Sequence, residues 1–200
     1  NRLSRKRKLY NSLGLIISST YLLATLAFKG IAHYKVAEAL EANNIEYKDI
    51  NTRATYFNSI LWSAQIELED SYMFTYYSLF DKSMPVFTKK FAKNHDMLKP
   101  FINEKKIQQL IILSNGHYIM SNENDNLIFW NLKLGQKGFD KNASPYIWSY
   151  IIEKNNKEQI QLDETNEKMD ALKVKEIRSF RNNRKYSEEF SKFYERLKGI

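Results

Sequence analysis

"LGLIISSTYLLATLAFKGIAHYKVAEALEANN", residues 13–44, starts uncharged and finishes amphipathic, and the place where it changes decides how the rest of the chain is arranged. From Leu9 to Phe28 run 20 residues without a charge, and about 20 are needed for a helix to cross roughly 30 Å of hydrocarbon. Asn11, Ser12, Ser18, Ser19 and Thr20 lower the hydropathy of this run. Small hydroxyl residues are nevertheless tolerated in membrane helices, where they suit close packing against other helices. After Lys29 the apolar positions are Ile31, Val36, Ala37, Ala39 and Leu40, interleaved with Lys35, Glu38 and Glu41. The same helix is therefore expected to continue into water for several turns and to end at Asn43-Asn44. Tyr34 and Lys35 suit the far interface.

Arg2, Arg5, Lys6, Arg7 and Lys8 precede the span with no acid among them. By the positive-inside rule that end is expected to stay in the cytoplasm and the remainder to lie outside it, on the extracytoplasmic side. This reading divides the chain into a basic cytoplasmic flank (1–8), a transmembrane helix (9–30), an amphipathic exit helix (31–44) and a soluble α+β domain (45–200). A cleaved signal peptide and a buried helix of a soluble protein share the same features. Against the signal peptide stand the length of the uncharged run and the poor cleavage site offered by Ala24 to Ala27. Because the chain begins at Asn rather than Met, it is expected to be part of a longer polypeptide.

Composition narrows the class of the rest. Apolar residues make up 43% and aromatic residues 14% of the chain, enough buried surface to offset the entropy of ordering, which excludes a disordered protein. With no cysteine there is no disulfide, thiolate nucleophile or thiolate zinc site. The net charge of +8 resides at the ends: the five basic residues before the span, and ten Lys/Arg against six Asp/Glu over residues 165–200. The long middle is close to neutral, which makes nucleic acid an unfavoured partner.

Beyond Asn44 the period changes to two. In "ILWSAQIELE" (60–69), Ile60, Trp62, Ala64, Ile66 and Leu68 fall on one side and Ser63, Gln65, Glu67 and Glu69 on the other, the pattern of a half-buried strand. "SYMFTYYSLF" (71–80) follows across Glu69-Asp70 and is aromatic enough to be covered on both faces. "PVFTKKF" (85–91) predicts a third strand. "GHYIMSN" (116–122) and "LIFWNLKL" (127–134) predict one hairpin, and "PYIWSYIIEK" (145–154) and "EQIQL" (158–162) another, turning through Asn155-Asn156. Residues 95–115 read as an inserted helix with Ile107, Leu110, Ile111 and Leu113 as candidates for its buried side. Two C-terminal helices are expected, one with Met169, Leu172, Ile177 and Phe180 as its stripe, the other with Phe190, Phe193, Tyr194 and Leu197. The sum is an α+β fold: a transmembrane helix, then a mainly antiparallel sheet domain with one inserted and two C-terminal helices.

A basic stretch, the helix segment "YLLATLAFK", the amphipathic exit, "YFNSILWSAQIE", "YYSLFD" and "NLKLGQ", in that order, resemble the C-terminal half of the bacterial inner-membrane metal-dependent hydrolases, a family described as LexA-binding and inner-membrane-associated. The resemblance covers nearly the whole chain. It implies a hydrolase for the parent protein, with the His and Asp residues that bind a divalent metal in an N-terminal multi-span part that is missing here. It carries no catalytic or metal-binding residue onto this chain and implies no cofactor in this fragment; the expected partners are the bilayer and that N-terminal half.

The residues alone point the same way. His33, His95 and His117 form no paired-ligand helix motif, and no nucleophile elbow or phosphate-cradling loop is present. Trp62, Tyr76, Trp130 and Trp148 are candidates for lining a ligand groove, although aromatic residues on strands are far more often core. Arg178, Arg181, Arg184 and Lys185 are candidates for contact with an anionic surface or for a solvated face. Two functional classes follow: a non-catalytic extracytoplasmic domain that covers a membrane-embedded hydrolase site or recognises its substrate or partner, or a membrane-anchored binding module without enzymatic activity.

Overall fold

A computed structural model describes residues 2–123, 126–133, 135, 148–154, 172–178 and 186–199. Helix α1 runs unbroken from Arg2 to Ala42, about 60 Å at 1.5 Å per residue, so span and exit helix are a single element. It stops where the sequence stops it. Asn44 takes a left-handed φ of 51°, the Asn44 amide donates to the Glu41 carbonyl (3.0 Å) and the Ile45 amide to that of Leu40 (3.0 Å). Ile45 also packs on the cluster containing Leu40. These bonds and this apolar contact close the last turn as a Schellman motif.

The described strands form two four-stranded antiparallel sheets. The first comprises β1 (Asp49–Ala54), β2 (Leu61–Glu67), β3 (Ser71–Ser78) and the short β4 (Phe91–Ala92). The register sets Trp62 opposite Tyr77, Ala64 opposite Thr75 and Ile66 opposite Met73, which places the apolar alternation of β2 on one face. There Val36 and Leu40 of α1 pack on Ile50, Ala64, Ile66, Leu68 and Met73. Nearer the start of the helix, Ala32 packs with Trp62 and Tyr77, flanked by Phe28 and Leu79.

The second sheet comprises β5 (Tyr118–Glu123), β6 (Asn126–Asn131), β7 (Trp148–Lys154) and β8 (Leu172–Arg178). A 3₁₀ turn at His95–Phe101 and helix α2 (Lys105–Leu113) lay Leu98, Ile107 and Leu110 on Tyr118, Met120, Phe129, Tyr150 and Ile152. The sheets meet where Tyr72 and Phe74 pack with Ile119 and Leu132, beside Phe91 and Trp130. Hydrogen bonds link them too: the Met120 amide donates to the Lys93 carbonyl (3.0 Å), and the Asn94 side-chain Nδ2 to the carbonyl of Met120 (3.0 Å). Helix α3 (Tyr186–Leu197) docks against the end of β3.

The α+β class, the apolar N-terminal helix and the antiparallel pairing stand as expected, and three details are corrected. Residues 172–178, expected to be helical, are strand β8, paired with β7 from Trp148↔Arg178 to Lys154↔Leu172; among the described residues one C-terminal helix, α3, remains. Leu172, Val174 and the intervening lysines alternate as a strand, but Glu176 and Ile177 break the phase, and the three-residue steps from Met169 to Leu172 and from Ile177 to Phe180 imitate helical spacing. Residues 85–91 form no regular strand before Phe91, because Thr hydroxyls take ladder positions. Thr88 Oγ1 accepts from the Phe74 amide (2.9 Å) and Thr75 Oγ1 donates to the Val86 carbonyl (2.9 Å). The face of β2 opposite α1 is covered rather than solvated, with Leu61 and Gln65 buried. The expected strand at 158–162 and its turn at Asn155-Asn156 lie outside the described residues.

Candidate functional site

The four aromatic candidates do not converge. Trp62 is buried under α1 and donates its indole N–H to the Ser59 carbonyl (3.1 Å). Tyr76 faces Ser63, on the opposite side of the same sheet, where burial pushes its hydroxyl well above the usual tyrosine range. Trp130 joins the cluster between the sheets and donates to Ser121 Oγ (2.7 Å). Trp148 sits opposite Asn131, one position along from the Trp130–Ser149 pair, so the two indoles project from opposite faces of the second sheet. Tyr76 lines a cavity of about 10 Å³ with Arg53, Gln65 and Phe74, the size of one water molecule. An open cleft of about 560 Å³ lies at the far end of the sheet between Asn43–Glu46 and Leu68–Ser71; none of the three tryptophans lines either. Of the basic candidates, Arg178 ends β8, while Arg181, Arg184 and Lys185 lie outside the described residues.

The histidines make local contacts. His33 Nδ1 lies 3.2 Å from Thr52 Oγ1. His95 stacks on the Tyr118 ring at 3.9 Å between centroids, and its Nε2 lies 2.9 Å from the Tyr118 carbonyl oxygen. Among the described residues no three His, Asp or Glu side chains come close enough to hold a metal ion.

Sequence reasoning did not single out the polar cluster at the junction of the sheets. Lys93 Nζ donates to Glu67 Oε1 at 2.7 Å, with only 12% and 24% of the two side chains exposed. The same ammonium lies 5.0 Å from the centre of the Tyr72 ring, a cation–π contact. His117 Nδ1 lies 3.6 Å from Glu67 Oε2, too far for a hydrogen bond, and its ring meets Tyr72 edge-on at 6.2 Å. Burial, reinforced by the Glu67 charge, drives the Tyr72 hydroxyl above its ordinary range. Glu67, Lys93 and His117 are far apart in sequence and share no motif, so only the fold brings them together. The cluster contains no nucleophile held by a base; what it does is tie β2, the segment after β4 and the start of β5 into one unit.

The feature with the clearest functional content is α1. Leu15, Ile17, Leu23 and Leu26 are 66–69% exposed, although Ala32, Val36, Ala39 and Leu40 of the same helix are buried to 1% or less. The helix is long and apolar enough to span a membrane. The chain runs down α1, turns at Asn43-Asn44 and returns along β1, bringing His33 to Thr52 and Phe28 to Trp62 and Leu79. The β1–β2 loop and the end of β3 are therefore at the edge of the domain from which the bare helix emerges.

Comparisons with protein-family models, with curated proteins and with solved structures find no match to this chain.

Proposed function

We propose that this chain is the extracytoplasmic, non-catalytic C-terminal part of a bacterial inner-membrane metal-dependent hydrolase, held by α1 and positioned to cover the membrane site or to recognise substrate or partner. One observation carries the reading. The apolar run of α1 is bare, and the two stretches that resemble the hydrolase family, residues 56–67 and 76–81, reach the domain edge next to it through Trp62, Tyr77 and Leu79. A domain that acts on a membrane-embedded half of its own polypeptide needs its distinctive surface at that edge. Trp62, Trp130 and Trp148 are scattered over different faces, so they form no shared aromatic groove for the independent binding-module reading.

Two measurements test it. The coding sequence upstream of Asn1 is expected to specify several apolar spans bearing His and Asp; translation starting just before Asn1 overturns the hydrolase reading. In intact cells Ile112→Cys, on the exposed face of α2 (71% exposed), is expected to react with a membrane-impermeant maleimide. Reaction only after permeabilisation overturns the extracytoplasmic placement.

A further inference from the structure

The β1–β2 loop displays two aromatic rings that the rest of the molecule does not cover. Phe57 is 106% exposed and Tyr56 65%. Phe57 also holds a left-handed φ of 61°, a conformation that bulky side chains avoid. Asn58 braces the loop. Its Oδ1 accepts from the amides of Ile60 (3.0 Å) and Leu61 (2.7 Å), and its Nδ2 donates to Thr55 Oγ1 (2.7 Å) and the Tyr56 carbonyl (3.1 Å). The rings are thus held outward by a built turn. No charged residue occurs between Arg53 and Glu67, so no charge has to leave water when the loop tip does.

The height of the tip along α1 follows from the contact of His33 with Thr52. From Thr52 to the end of β1 and on to the loop tip is about 10 Å at roughly 3.3 Å per strand residue, equivalent to about seven helical residues at 1.5 Å each. Phe57 therefore lies level with about Leu26, alongside the apolar run. Phe80, 58% exposed, follows Leu79 at the same edge.

We propose that Tyr56 and Phe57 form a second membrane contact, inserted into the headgroup and acyl boundary beside α1, so that the domain rests on the bilayer by its β1–β2 loop as well as hanging from its helix. This rests on α1 being a span: whatever solvates the helix at the level of Leu26 solvates the loop tip too. Aromatic side chains are favoured at that boundary, and two attachment points fix the tilt of the domain where one helix would leave it free.

The chain lacks cysteine, which makes single-cysteine labelling direct. Phe57→Cys, Leu22→Cys and Ile112→Cys variants of the full chain carry a nitrobenzoxadiazole label in phosphatidylcholine–phosphatidylglycerol nanodiscs with nitroxide lipids, shallow or deep. Phe57→Cys is expected to be quenched at least twofold by the shallow nitroxide, Leu22→Cys by the deep one and Ile112→Cys by neither. Tyr56→Cys repeats the measurement from the neighbouring position. Quenching at Leu22 with Phe57 and Tyr56 behaving like Ile112 overturns the proposal and leaves the span intact. A blue-shifted but unquenched label at Phe57 assigns the loop to a protein contact and overturns it as well. No quenching at Leu22 removes the span and the loop contact together.

Discussion

At the scale of single residues, the C-terminal helix shows how few groups fix an element. Arg196 grips Asp81 through both guanidinium nitrogens (2.5 and 2.6 Å) and donates to the Tyr76 carbonyl (2.6 Å), while Ser78 Oγ donates to the Leu197 carbonyl (2.6 Å). Gly199 completes the dock at φ 78°, and a Cβ there would lie 2.6 Å from the Phe80 carbonyl oxygen. Gly199→Ala is therefore expected to loosen α3 at a cost of about 2 kcal/mol, read as faster amide exchange over residues 191–199 and a lower melting temperature in detergent. The buried tyrosines set an alkaline limit. Tyr72 and Tyr76 keep their protons in the folded chain at pH values where unfolded tyrosines, near pKa 10, lose them. Their contribution is complete below about pH 10 and is lost as pH rises further, because the unfolded state then binds fewer protons. Tyr76→Phe is expected to make the fall in stability between pH 9 and 11 shallower, as measured by thermal unfolding across that range.

At the scale of elements, α1 changes character along its length. The turns through Ala32, Val36, Ala39 and Leu40 are buried against the domain, whereas most apolar residues before Phe28 are exposed, in a run long and apolar enough to span a membrane. Ala39 has no exposed surface, while Ala42 on the last turn is exposed. Ala39→Leu is expected to cost about 2 kcal/mol by overpacking, and Ala42→Leu less than about 0.5 kcal/mol, both by urea denaturation of the solubilised chain. Helix α1 was legible from the length of its uncharged run, β2 from its strict alternation and β3 from its aromatic, strand-favouring composition. Strand β8 was not, since the phase break at Glu176 hid its alternation. Residues 85–91 were misread because nothing in their composition says that Thr88 would bond through its hydroxyl as well as its amide.

For the whole molecule, the joint between the two sheets is what makes one domain of them. Lys93 is nearly buried and Glu67 is its carboxylate partner. Glu67→Gln leaves an ammonium with a weaker acceptor in a place water hardly reaches, a loss of about 2 kcal/mol. The expected signature is local: faster exchange at the Met120 and Leu132 amides, which bond across and beside the joint, with the exchange of β2 under α1 unchanged. Uniform acceleration throughout the chain would show instead that the joint does not separate two cooperative units. By itself the sequence determined the apolar helix, its change of character near Lys29 and its stop at Asn43-Asn44, together with the α+β class, because periodicity and length are local properties of a chain. Only the tertiary structure decided that the tryptophans scatter over separate faces, that Glu67, Lys93 and His117 meet, and that Phe57 stands uncovered in the β1–β2 loop. Those facts depend on strand order and register, which arise from long-range packing and leave no mark in the spacing of neighbouring residues.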